Sequence, residues 1–186
     1  MIASSSRHHV SSFLFIPFFS LSCLMLGVEA LRAQPSAEST ARWTLAPGLT
    51  YYRINDADAN GWGIGPVLTT AYRGGSGLGG ELTIGVIVSS NGRYDFSGIH
   101  ADLGIAYTVV RRAPVDVAVA AGATALAGGD SDGTQGVAAG GYVAACGHLW
   151  LSDWAGFSLR TAARYMPQEF NALFSPSVAV GLGFRF

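Results

Sequence analysis

His100-Ala101-Asp102 is the first place in this sequence where chemistry is conceivable. Residues two apart on a strand point the same way, so imidazole and carboxylate would share a face as an acid–base pair must. No serine is obviously joined to them. Glu81, Asp116, Arg160 and Arg164 complete a set of charges expected on the same side of their segments. Glu81, Asp116 and Arg160 are expected at one depth, with His100, Asp102 and Arg164 above them. Enclosed charges must pair, because an isolated one meets a large desolvation penalty. The set therefore predicts an internal salt-bridge plug, with a proton or ion path as the sharper alternative.

Other motifs fail on their own spacing. Asp130-Ser131-Asp132-Gly133 begins like a calcium loop, but the twelfth place holds Gly141 where a glutamate is required. Solvated loop charge is the simpler account. Gly61-Trp62-Gly63-Ile64-Gly65 and Gly79-Gly80 lie in strand-like segments, so they are not phosphate loops at strand-to-helix turns. The net charge of −1 and the lack of a basic stripe argue against nucleic acid. No cofactor, metal or catalytic residue is expected.

The elements that position these residues are short and regular. Apolar residues make up 49 % of the 186 and charged ones only 12 %, about half the usual charged share. Yet beyond the N-terminus no apolar run approaches the roughly 18–20 residues of a spanning helix. Eight alternating segments explain both facts, at about 42–54, 61–73, 78–90, 98–110, 115–127, 136–151, 157–165 and 176–186. Tight connections at 74–77, 111–114 and 152–155 alternate with longer polar ones at 55–60, 91–97, 128–135 and 166–175. One parity is nearly free of charge: Trp62, Ile64, Leu68 and Tyr72; Leu82, Ile84, Val86 and Val88; Ile99, Leu103 and Ile105; Val115, Val117 and Val119; Phe157, Leu159 and Tyr165. The other carries glycine, alanine, threonine, serine and the charges above. This is the pattern of a transmembrane barrel, apolar outside and polar within.

Aromatics bracket the apolar faces, Trp43 and Tyr51 in the first segment and Trp62 and Tyr72 in the second. Eight to ten tilted residues between them span roughly 20–25 Å, the height of an outer-membrane apolar band. Asp56, Asp58, Asp95, Asp130, Asp132 and Glu169 fall in the long connections, and Arg42, Arg73, Arg111, Arg112 and Arg185 near the short ones, while Arg53, Arg93 and Asp153 break the division. Pro47 and Pro66 stand inside segments and predict a bulge or ladder break. The sixth segment is ambiguous, with Val137, Val143 and Leu149 opposing Tyr142, His148 and Trp150.

Residues 1–33 read as an export signal, with Arg7, His8 and His9 before an apolar stretch and cleavage after Ala30 or Ala33. Residues 34–41 form a short leader, and 42–186 the barrel. An uncleaved anchor or a lipid attachment at Cys23 fits less well. Cys146 is then the single cysteine of the mature chain, which excludes an internal disulfide.

The last residues carry the most specific signal. Val178, Val180, Leu182, Phe184 and Phe186 alternate without a break to the final aromatic. This resembles the terminal β-signal of bacterial outer-membrane proteins, and the mature chain as a pattern is similar to the small eight-stranded OmpX/OmpA-type barrels. The resemblance implies an all-β, antiparallel up-and-down barrel of eight strands, recognised by the barrel-assembly machinery and resident, as a monomer, among outer-membrane lipid and lipopolysaccharide. It implies a non-enzymatic envelope or surface-interaction role. The alternatives are a lipid-modifying enzyme, a narrow channel and a soluble lipocalin-like barrel. The His-x-Ser-Asn stretch of the outer-membrane lipid A deacylases is absent, and a lipocalin would place its apolar face inside.

Overall fold

The computed structural model describes residues 42–55, 60–90, 95–130, 135–167 and 172–186. The export signal, the leader, Ser131 to Gly133, and Asp56, Asp58, Asp132 and Glu169 lie outside the described residues. Eight strands run in order: β1 (Arg42–Asn55), β2 (Asn60–Arg73), β3 (Leu78–Ser90), β4 (Asp95–Arg112), β5 (Val115–Asp130), β6 (Gln135–Trp150), β7 (Ala155–Pro167) and β8 (Ala172–Arg185). Each pairs antiparallel with its neighbours, and β1 meets β8 to close the barrel.

Strict alternation dictates which side chains face out. Leu103 is 66 % exposed, Ile105 67 % and Val180 58 %, whereas Glu81 is 2 % and Arg160 5 % exposed. A water-soluble barrel would show the reverse. Rings gather at the two ends of the apolar belt: Trp43 lies 5.2 Å from Tyr72 near the short turns, and Tyr51 stacks on Trp62 at 6.3 Å near the opposite end. β6 follows the same rule as its neighbours, with Tyr142, Cys146 and Trp150 buried while Val137, Val143 and Leu149 face outward.

Every strand except β3 runs beyond an expected end, so each of the four connections expected to be long leaves only four residues between strands. Polar residues there continue in pairing, as Asp95 does with Ser90 and Phe96 with Asp130. Arg111 and Arg112, expected in a turn, pair with Asp116 and Val115 instead, which leaves Ala113-Pro114 as the whole β4–β5 connection. The β2–β3 turn needs Gly77, whose φ of 85° lies in the left-handed region that glycine enters freely.

Of the two expected effects of the prolines, the structure shows the ladder break and not the bulge. Pairing of β1 with β8 skips Ala46 and Pro47, and pairing of β2 with β3 skips Gly65 and Pro66, both in unchanged register. Each proline turns its missing N–H to one neighbour and keeps its other ladder intact, opposite Leu68 and Leu49 respectively. Among the described residues the one register shift lies elsewhere, at Thr108/Val110 between β4 and β5.

Candidate functional site

Eight strands enclose a lumen just wide enough for side chains to fill. Alanines at 46, 71, 106, 118, 120, 144 and 162 are all buried, and they leave the remaining width to a few large polar groups. Gly85 serves the same purpose at one point: a Cβ there would meet Tyr52 Oη at 2.7 Å and His100 Nδ1 at 2.9 Å.

Four of the predicted charges meet in the middle. Arg164 on β7 donates from Nε to Asp102 Oδ1 at 2.9 Å and from Nη2 to Oδ2 at 2.7 Å, the two-pronged geometry that suits guanidinium and carboxylate. Arg160, two inward positions away with Ala162 between, donates to Asp102 Oδ2 at 3.2 Å and to Glu81 Oε1 from Nε at 3.1 Å and from Nη2 at 2.9 Å. Thr124 completes the shell of Asp102 at 2.6 Å, the Cys146 thiol donates to Glu81 Oε2 at 3.2 Å, and Ser177 accepts from Arg164 at 2.7 Å. Both carboxylates are sealed from solvent. Rings brace the cations: Arg160 lies over Tyr142 at 5.4 Å and Arg164 over Tyr52 at 5.6 Å.

His100 shares the face of Asp102 but not its hydrogen bonds. Its ring meets Tyr52 Oη at 3.0 Å from Nδ1, while both Asp102 oxygens are occupied by guanidinium and hydroxyl donors. Both residues are almost wholly enclosed. An acid–base pair serving a lipid substrate is not what this arrangement provides. Tyr52, Ile87, Leu126 and Met166 form an apolar cluster beside His100, with Phe96 and Ala138 packed against it. Ions crossing here would have to displace both that cluster and the paired charges.

Asp116 stands apart from Glu81 and Arg160, contrary to the expectation of a shared depth. It accepts from Trp150 Nε1 at 2.7 Å and lies 3.8 Å from Arg185. The reason is the stagger of the barrel. Glu81 pairs with Gly104, which pairs with Gly122, six residues along β5 from Asp116; at about 3.3 Å per residue that is roughly 20 Å of strand. Arg73, read from the sequence as a rim residue, is buried instead and takes Asp116's expected place, 3.6 Å from Glu81. Parity also puts Tyr52 and Thr124 on the lumen face, and β6, whose faces the sequence leaves ambiguous, turns Tyr142 and Cys146 inward beside them. In the terminal alternation, Val178, Val180, Leu182 and Phe186 face outward and Phe184 is half-buried. Among the described residues no three His, Cys, Asp or Glu side chains converge as a metal ligand set.

Searches with the sequence match no protein-family model and no curated protein. The architecture is matched closely. Neisserial surface protein A superposes with a TM-score of 0.65 at 10 % identity, covering 77 % of this chain and 97 % of that one. The fold is that of the small outer-membrane barrels. Ail, the attachment invasion locus protein of Yersinia pestis, gives 0.58 at 13 % identity over 79 % of this chain and 99 % of its own. The outer membrane protein OprG of Pseudomonas aeruginosa gives 0.57 at 10 % identity over 82 % and 99 %. An eight-stranded outer-membrane-type barrel accounts for the low charge content, the alternation and the aromatic ends together.

Proposed function

We propose that this chain is a non-enzymatic outer-membrane protein that serves the envelope as a sealed, rigid cylinder and presents its outer hairpins to the surroundings. The observation that carries the reading is the orientation of the wall: Ile84, Leu103 and Val180 face outward, and Glu81, Asp102, Arg160 and Arg164 are closed inside. Hydrocarbon is the solvent that makes such a surface stable. The likeness to small outer-membrane barrels supports the same residence. The enclosed ion pairs support a structural lumen over a conducting one, and the engagement of His100 with Tyr52 speaks against lipid hydrolysis.

Export through residues 1–33, recognition of Val178 to Phe186 by the barrel-assembly machinery, and a monomer contacting lipopolysaccharide belong to this proposal. Fractionation tests the residence: the protein is expected in outer membranes and to migrate differently on gels before and after boiling. Recovery in the soluble periplasm with no heat-dependent shift would refute it. Planar bilayers test the lumen, where folded protein is expected to give no discrete conductance steps.

A further inference from the structure

The end of the barrel that carries the short turns has a charge imbalance that the central network does not. Six arginines point into the lumen or its mouth at this end and centre: Arg42, Arg73, Arg111, Arg160, Arg164 and Arg185. The facing carboxylates are Glu81, Asp102 and Asp116, which leaves an excess of three positive charges. Arg160 and Arg164 are matched by Glu81 and Asp102, so the excess collects at the mouth. There Arg42, Arg73, Arg111 and Arg185 surround a cavity of about 30 Å³, with Asp116 the one carboxylate in its wall.

Asp116 is already engaged by Trp150 and Arg185. Among the described residues, Arg42 and Arg111 have no carboxylate within ion-pair distance; both lie near enough to repel Arg185, which Asp116 and, from the β6–β7 turn outside the cavity wall, Asp153 attract. The wall is fixed rather than floppy. Trp150 sits between Arg185, whose guanidinium carbon is 4.5 Å from its ring, and His148, stacked on it at 5.2 Å. Arg185 is also held by the Asp153 carbonyl at 2.9 Å, and Arg73 by the Gly80 carbonyl at 3.0 Å. Thr44 and Thr108 add hydroxyls to the lining.

We propose that this cavity is a binding site for a phosphate group. Converging guanidiniums match the oxygens of a tetrahedral oxyanion, and an excess of partly enclosed cations needs such a counter-charge. A space of about 30 Å³ is of the size that admits one small oxyanion. The phosphate is either free in the periplasm or the headgroup of an inner-leaflet phospholipid. The first source stands independently of membrane residence, and only the second rests on it.

The test uses the full chain refolded in a maltoside detergent without phosphate, and in nanodiscs of phosphatidylcholine alone or with phosphatidylglycerol. Inorganic phosphate is titrated while arginine Nε–H resonances and tryptophan fluorescence are followed. Saturable shifts of Arg73 and Arg185 are expected, weakened roughly tenfold or more in Arg42→Gln/Arg111→Gln, since each charge-assisted bond contributes at least that factor. Arg112→Gln, on the exposed rim, is expected to leave the titration unchanged. Saturation by inorganic phosphate identifies a free anion. Shifts that appear only with phosphatidylglycerol, and are lost in the double variant, identify a headgroup. No response to either, or an equal response in the double variant with its heat-modified gel shift intact, overturns the proposal.

Discussion

Asp102→Asn is the substitution with the most to say about how this lumen is held. The carboxylate accepts four hydrogen bonds, from Thr124 at 2.6 Å, Arg160 at 3.2 Å and Arg164 at 2.9 and 2.7 Å, and it is wholly buried. Asparagine keeps the size but removes the charge and turns an amide donor toward donors. Arg160 retains Glu81, whereas Arg164 is left with Ser177 and the ring of Tyr52. Breaking one side of a buried pair typically costs about 3–5 kcal/mol. With a urea slope of about 2 kcal/mol/M, the unfolding midpoint should fall by roughly 2 M. Arg164→Gln alone should cost less, because Asp102 keeps Arg160. The double variant removes the unpaired charge, and its loss should undercut the sum of the two by about 2 kcal/mol. Urea unfolding in lipid vesicles, read by gel mobility and tryptophan emission, measures all three. Losses for Asp102→Asn under about 1 kcal/mol that add simply with Arg164→Gln would mean that water reaches these groups, and the sealed lumen would be refuted.

Three further perturbations separate the walls from the core. Leu103→Arg places a charge at a position 66 % exposed on the apolar belt; folding into vesicles should weaken by about 2–4 kcal/mol, whereas on a water-facing surface the change would be near zero. Gly85→Ala forces a methyl against Tyr52 and His100 and should cost about 1–3 kcal/mol in the same urea assay, while Gly147→Ala, whose Cβ meets nothing within 4 Å, should be neutral or slightly stabilising. Cys146 is buried and bonded to Glu81, so a maleimide should fail to label it in the folded barrel and label it rapidly in urea, as mapped by mass spectrometry; prompt labelling of native protein would contradict the packing.

Alternation made most of the wall legible, because a strand's parity is fixed by covalent geometry and needs no knowledge of its partners. That is why Ile84, Leu103, Arg160 and Arg164 lie on the faces their sequence positions dictate. Depth is a different quantity. It depends on how far each strand slides past the next, and no single segment records that offset, so Asp116 was grouped with Glu81 although the register separates them by six positions of β5. The hairpin ends are illegible in the sequence for a related reason. Beyond the apolar band polar residues remain paired, but the contrast between the two faces fades, and the pattern that marks a strand disappears before the strand does. The shift at Thr108/Val110 has no glycine to announce it, whereas Pro47 and Pro66 announce the local ladder breaks that are found beside them. Arg73 looked like rim charge because it borders a turn, yet its long side chain reaches inward to Glu81.

The central ion pairs also bear on how the cylinder comes into being. Glu81 and Arg160 are 79 residues apart and sit on β3 and β7, nearly opposite one another across the bore. An open, uncurled sheet cannot join them, so its Glu81, Asp102, Arg160 and Arg164 lack the partners they have across the closed bore. Such a sheet is penalised. The middle of this protein is thus a latch between distant strands, one that favours the closed cylinder over an open sheet.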